Sequence, residues 1–170
     1  PAAARPARAD APGEAGAAQA APPAGPWTVS VGSLCEFSAR QGDLDRRFTP
    51  SATALEGLAG QAAVAQRRGA DYQTELPLQT VVGALRVRGR ADGWCPQRRC
   101  LEEVKTIRGH PDALPDNRRA LHWAQLQTYG ALYCRQHGLA GLKLALVYYD
   151  IASQTEWPLQ QDCSAAELEA

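Results

Sequence analysis

The pattern of hydrophobic and polar positions divides the chain near Trp27. Residues 1–26 are mostly Ala, Pro and Gly and show no hydrophobic period. Such a segment cannot bury enough apolar surface to offset the entropy lost on ordering. We therefore predict a disordered Ala/Pro-rich linker or tail over residues 1–26 and a folded domain over residues 27–170.

Two helices are predicted first in the folded part. Ser30 is placed to cap a short helix over residues 30–37. A longer helix is predicted over residues 49–69, because Thr53 and Glu56 have capping-box spacing and Gly69 is placed to end it.

The rest of the pattern predicts strands around a third long helix. Residues 72–80, 84–94 and 100–107 are β-prone runs joined by short links with Gly or Pro, which is typical of a meander. Apolar residues at helical spacing predict a helix over 117–138, and the near-continuous apolar run 142–151 predicts a buried strand. The predicted order is α-β-β-β-α-β.

Three charges interrupt the strand predicted at 100–107. Because side chains alternate faces along a strand, Glu103 and Lys105 share one face and Glu102 points to the other, supporting the site or facing solvent. Asp92, which ends a strand carrying Arg86, Arg88 and Arg90 on its own face, approaches Glu103 if the two strands form a hairpin. Two adjacent carboxylates repel unless a cation lies between them, and oxygen ligands suit Mg²⁺ or Mn²⁺. The alternative is a plain cross-strand ion pair of Glu103 and Lys105 on a solvated face.

The order Asp92, then Glu103-Val104-Lys105, resembles the signature of the PD-(D/E)XK nuclease superfamily. Gln125 and Tyr129 lie one turn apart on one helix face and form the Q-x-x-x-Y motif of the RecB-like branch. The longer phrases around these motifs are most similar to nuclease domains fused to bacterial DinG-like iron–sulfur helicases. The resemblance implies an α/β, restriction-endonuclease-like core, with a mixed central sheet flanked by helices.

The resemblance also implies roles for individual residues. Asp92, Glu103 and the Val104 carbonyl would hold one or two divalent ions, and Lys105 would orient the attacking water. Gln125 and Tyr129 would hold the DNA backbone or buttress Lys105, with His122 in a supporting role and Arg90 binding phosphate.

One position departs from the branch. A G-x-x-x-H motif is expected on the first long helix, but Gln61 stands four residues after Gly57 in place of the His. We expect either Glu56 or Gln61 to complete the ligand shell and favour Glu56.

The cysteines predict no cofactor. Five cysteines without a C-x-x-C pair argue against a zinc ribbon or a disulfide framework. Cys35 could supply the upstream ligand of an iron–sulfur cluster, but Cys163 alone follows the last predicted strand, so we predict no cluster. Cys35 and Cys134 are predicted to be core residues.

Charge and hydropathy set the remaining expectations. Lys plus Arg and Asp plus Glu both number 18, so any nucleic-acid surface must be local. No membrane-length apolar run or leader is visible, which predicts a cytoplasmic protein with no membrane partner, and the resemblance above implies a bacterial one. Because Met is absent, we interpret the chain as part of a larger helicase–nuclease.

These features predict a metal-dependent DNA nuclease, an exonuclease on single-stranded or end-bearing DNA in repair or recombination. The change to Gln61 raises the alternative of an inactive nucleic-acid-binding module of the same fold, against which the intact Asp92, Glu103 and Lys105 argue. A hydrolase of small phosphate esters would need a phosphate loop that is not seen. A purely structural domain would not explain charges inside strands.

Overall fold

The computed structural model describes residues 25–39 and 52–170. Within them the chain forms four helices and six strands. The helices are α1 (Val31–Ser38), α2 (Ala54–Gln66), α3 (Asp116–His137) and α4 (Ala165–Glu169). The strands are β1 (Trp27–Ser30), β2 (Gln73–Val82), β3 (Leu85–Cys95), β4 (Cys100–Ile107), β5 (Gly141–Asp150) and β6 (Thr155–Ser164), and a 3₁₀ turn covers Pro111–Ala113. The predicted tail over residues 1–26 and the start of the predicted helix 49–69 lie largely outside the described residues.

The six strands form one mixed sheet. β2, β3 and β4 pair antiparallel in sequence order, so the predicted meander is confirmed. β4 and β5 are parallel and are joined through α3, while β6 pairs antiparallel with β5. β2 takes one edge of β3, and the other edge is shared by β1, which pairs with residues 85–88, and β4, which pairs with residues 93–95.

Helices cover both faces of this sheet. Leu101 and Ile107 of β4 belong to the larger apolar core, together with Leu126 of α3 and Cys35 of α1. The opposite face packs Val104 against Val64 of α2. The predicted fold class, a mixed sheet flanked by helices with a restriction-endonuclease-like core, is confirmed. Within the described ranges no helix is long and apolar enough to cross a membrane.

Most of the predicted helix signals are confirmed. Ser30 caps α1, Thr53 and Glu56 form the capping box of α2, and Gly138 ends α3 in the left-handed conformation with φ 63°. The prediction that Gly69 ends the second helix was wrong, since α2 stops at Gln66 and Arg67 caps it. Directly after the helix, Arg67 forms an ion pair with Glu156 and Arg68 forms one with Glu102, so these side chains are held by the sheet where the helix ends.

Candidate active site

The site lies where β3 and β4 separate. Their backbone pairing runs from Cys95–Cys100 to Gly93–Glu102 and then stops. At the next position Asp92 replaces the missing ladder bond, because its Oδ2 accepts the backbone N–H of Val104 at 2.7 Å. Glu75, which lies opposite Asp92 on β2, has φ 56°, an uncommon value for a residue other than glycine. The sheet is thus distorted at the point where it presents Asp92.

Glu103, Lys105 and Gln125 form a connected chain of side chains beside Asp92. Lys105 Nζ donates to Glu103 Oε1 at 2.7 Å and to Gln125 Oε1 at 2.8 Å. β4 supplies the first two residues on one face, as its alternation predicts, and the middle of α3 supplies the third. We call Asp92, Glu103, Lys105 and Gln125 the carboxylate–lysine cluster.

The electrostatics of this cluster favour an additional cation. Burial and then the negative charge of Glu103 raise the pKa of Asp92, and burial raises the pKa of Glu103, which is 3% exposed. Burial alone would lower the pKa of Lys105, but the neighbouring Glu103 and Asp92 raise it. One ammonium therefore faces two carboxylates, and the cluster is one positive charge short.

The donor atoms fit a hard divalent ion. Glu103 Oε2 is buried and has no hydrogen-bond partner, although a buried carboxylate oxygen normally has one. Carboxylate and carbonyl oxygens are the ligands that Mg²⁺ and Mn²⁺ prefer. No group of three or more His, Cys, Asp or Glu side chains placed to hold a metal occurs in the part of the chain that the structure describes. A cation here would therefore use Asp92, Glu103 and oxygens of other types, such as the Val104 carbonyl.

Gln61 is the residue of α2 that reaches the cluster. Its Nε2 donates to Asp92 Oδ1 at 3.0 Å, so the amide stands where a metal-facing group was predicted. Its amide oxygen would face the cation only after the amide turns over. The structure thus brings Gln61 to the site as an Asp92 partner.

Tyr129 extends the cluster toward the start of β3. Burial raises the pKa of the Tyr129 hydroxyl, while the nearby Gln125 side chain and the Arg90 backbone act in the opposite direction. Its ring lies against Gly89, where a Cβ atom would come within 2.6 Å of Tyr129 Cε1. Because Tyr129 is buried, the structure supports a buttressing role for it, and stacking of its ring on a base is disfavoured.

The other three predicted site residues are held by groups outside the carboxylate–lysine cluster or at its margin. Glu56, favoured as a metal ligand, instead completes the capping box with Thr53 and forms an ion pair with Arg108. His122 Nδ1 lies 3.0 Å from the Tyr148 hydroxyl, and burial followed by Lys105 lowers the pKa of His122 to about 3, so its ring is neutral and cannot attract phosphate by charge. Arg90 is exposed and pairs with Glu75 at 2.9 Å.

Glu102 belongs to a separate network on the opposite face of β4. Its carboxylate accepts from Arg68 Nε at 2.9 Å, Arg98 Nη2 at 2.6 Å and the Tyr72 hydroxyl at 3.1 Å. It is 1% exposed, so the alternative that it faces solvent was wrong. The sequence indicated this network only through a glutamate placed on the second face of a predicted buried strand. No local pattern identified the residues that pair with it.

The cysteines play no part in this cluster. Cys35 and Cys134 are buried in the larger core, as predicted. Cys95 and Cys100 are directly opposed on β3 and β4. The expectation of no iron–sulfur cluster stays a prediction.

Comparison with known proteins supports the fold. No known family profile and no curated protein matches the chain. Among solved structures, the chain is similar to the crystal structure of SSO0001, with 19% identity and a TM-score of 0.50 over 83% of this chain and 71% of that one. It is also similar to a protein from Eubacterium rectale named "Putative exonuclease", with 12% identity and a TM-score of 0.44 over 67% of this chain and 47% of that one. At these identities the likeness concerns the arrangement of the chain, and function rests on the site itself.

Proposed function

We propose that this chain is a divalent-metal-dependent DNA nuclease that hydrolyses phosphodiester bonds at the carboxylate–lysine cluster. The observation that carries the proposal is the buried, unpartnered Glu103 oxygen beside Asp92, with Lys105 held between Glu103 and Gln125. The sequence resemblance to RecB-like PD-(D/E)XK nucleases supports it independently, because the matched residues meet in space.

Each residue of the carboxylate–lysine cluster has a separate role in the proposed hydrolysis. Asp92, Glu103 and the Val104 carbonyl would hold the ion, which when bound supplies an acidified water and neutralises phosphate charge. Lys105 remains protonated beside Glu103, so it orients the attacking water and stabilises negative charge developing on the phosphate. Gln125 fixes the Lys105 ammonium, and Tyr129 fixes Gln125.

The substrate and setting extend the same proposal. We favour single-stranded or end-bearing DNA, cut by an exonuclease in repair or recombination, with Mg²⁺ or Mn²⁺ as the ion. A helicase domain in the same parent chain and a bacterial cytoplasm are the setting that the sequence resemblance favours.

An inactive nucleic-acid-binding module is the second candidate, and one contact favours it. Gln61 donates a hydrogen bond to Asp92 where the RecB-like motif has a metal-facing His. If Gln61 holds Asp92 permanently, the ion lacks a ligand from α2 and the chain binds DNA without cutting it.

Cleavage of end-labelled single-stranded DNA with Mg²⁺ or Mn²⁺ separates the two candidates. The proposal predicts cutting that EDTA abolishes, that Lys105→Ala removes and that Lys143→Ala, at the chain's other lysine, leaves intact. A circular single strand should resist an end-dependent enzyme. DNA binding without cutting by either metal would contradict the nuclease and favour the binding module.

A further inference from the structure

A groove beside the cluster carries three arginines. It encloses about 990 Å³ between β2, β3 and the end of α3, and Arg88, Arg90 and Arg135 line it. Gln79 and Gln136 add amide groups, and no carboxylate is among the described residues that line it. We call this the arginine groove. Its concentration of positive charge stands out in a chain whose net charge is zero.

The groove is joined physically to the cluster. Gly89 lines it, and the ring of Tyr129 covers Gly89 so closely that no side chain fits there. Tyr129 in turn contacts Gln125, the partner of Lys105. Arg90 lies two residues before Asp92 on β3. The arginine groove and the carboxylate–lysine cluster are therefore neighbours, connected through Tyr129 and through β3.

The lining chemistry favours a phosphate backbone. Guanidinium groups bind phosphate in a fork geometry without reading base sequence, and amides add hydrogen bonds to phosphate or sugar. The charge of Arg90 is partly neutralised by its ion pair with Glu75. Arg88 and Arg135 form no ion pair with any of the described residues, so their charges are available to phosphates. Proteins that bind single strands hold the backbone in a positively charged groove, whereas proteins that recognise duplex DNA insert a helix or β-ribbon into a groove of the DNA. The concave shape of this surface therefore favours a single strand.

We propose that the arginine groove binds a single-stranded DNA segment through its phosphates and leads it to the cluster. This inference rests on the proposed function for its substrate class. Along this path Arg88 and Arg135 would contact phosphates away from the reacting atoms.

Salt-dependent binding of a fluorescein-labelled oligothymidylate, measured by anisotropy in EDTA, tests the path without cleavage. The probe variant is Arg88→Gln with Arg135→Gln. The matched control is Arg99→Gln with Lys143→Gln, which removes the same charge from a different cavity near the start of β4. Each single-strand phosphate contact contributes about 0.7 to the slope of log K against log salt, so the probe variant should lose about 1.4. When salt is lowered from 1 M to 0.1 M, the binding constant of the parent chain should therefore rise roughly 25-fold more than that of the probe variant.

The outcomes separate this inference from the nuclease assignment. An unchanged slope in the probe variant, an equal loss in the control, or equally tight binding of a blunt-ended DNA duplex of the same length and label would overturn the groove. Failure of cleavage with an intact slope difference would overturn the nuclease and leave the groove standing.

Discussion

The two adjacent glutamates of β4 should respond oppositely to loss of charge. Glu102 is buried among Arg68, Arg98 and Tyr72, all of which hydrogen-bond its carboxylate. Glu103 is equally buried but has one unpartnered oxygen and shares a single lysine with Asp92. Replacing each with Gln keeps the shape and removes one negative charge, so the pair isolates the electrostatic difference.

The expected magnitudes follow from the contacts. Glu102→Gln turns an acceptor into a donor facing guanidinium groups, and breaking a buried ion pair costs about 3–5 kcal/mol. Because Arg98 is 43% exposed and Arg68 keeps Glu156, we expect a loss at the lower end, about 3 kcal/mol. Glu103→Gln leaves Lys105 held by Gln125 and near the Asp92 carboxylate, and it removes one of the two buried negative charges that share this lysine. We expect its stability to be unchanged or raised by about 1 kcal/mol.

Urea unfolding in EDTA at neutral pH measures both changes. Adding Mn²⁺ should then raise the midpoint for the parent chain and for Glu102→Gln, while Glu103→Gln should not respond. If Glu103→Gln were destabilised as much as Glu102→Gln without metal, the inference that the cluster lacks a positive charge would be refuted.

Three further predictions concern other parts of the fold. Hydrogen bonds from Ser153 and from the Gly109 N–H lower the pKa of Asp150 to about 2, against about 3.9 in an unfolded chain. Its stabilisation of roughly 2 kcal/mol is therefore present above pH 4 and lost as the pH falls toward 2, and unfolding of Asp150→Asn should lack this pH dependence. Gly89→Ala should displace Tyr129, lower the free energy of unfolding by about 1–3 kcal/mol and reduce the cleavage rate. Gly57→Ala, where an added Cβ has nothing within 4 Å, should reduce neither the stability nor the cleavage rate. Cys95 and Cys100 are directly opposed on neighbouring strands, and the Cα atoms of such pairs lie about 4.5 or 5.5 Å apart, within the range of a disulfide. The oxidant diamide should therefore join the two thiols, and mass spectrometry should record the loss of two hydrogen atoms. Cys100→Ser should show no such loss.

The sequence predicted the elements that carry local signals. Strand alternation placed Glu103 and Lys105 on one face, and capping residues located the starts of α1 and α2. β1 was missed because it has four residues and is stabilised by pairing with β3, about 58 residues away in the chain. β6 was missed because an edge strand rich in polar residues and interrupted by Pro158 has little intrinsic β signal.

The candidate site was predictable in its motif residues and not in their partners. Asp92, Glu103, Lys105 and Gln125 meet as the resemblance implies. The capping box of Thr53 and Glu56 was predicted, but the ion pair of Glu56 with Arg108 is a tertiary contact with no local pattern. Two of the three partners of Glu102, Arg68 and Tyr72, likewise lie 34 and 30 positions earlier in the chain, and the arginine groove is assembled from separate elements.

If Glu103 holds the metal used for phosphodiester cleavage, the single-turnover rate of Mg²⁺-dependent cleavage of single-stranded DNA should depend on its carboxylate. The comparison is between the parent chain, Glu103→Gln and the control Glu169→Gln, a change at an exposed glutamate near the end of the chain. We expect the rate to fall at least about 100-fold in Glu103→Gln and to stay unchanged in the control. Equal rates in the parent chain and Glu103→Gln would contradict it.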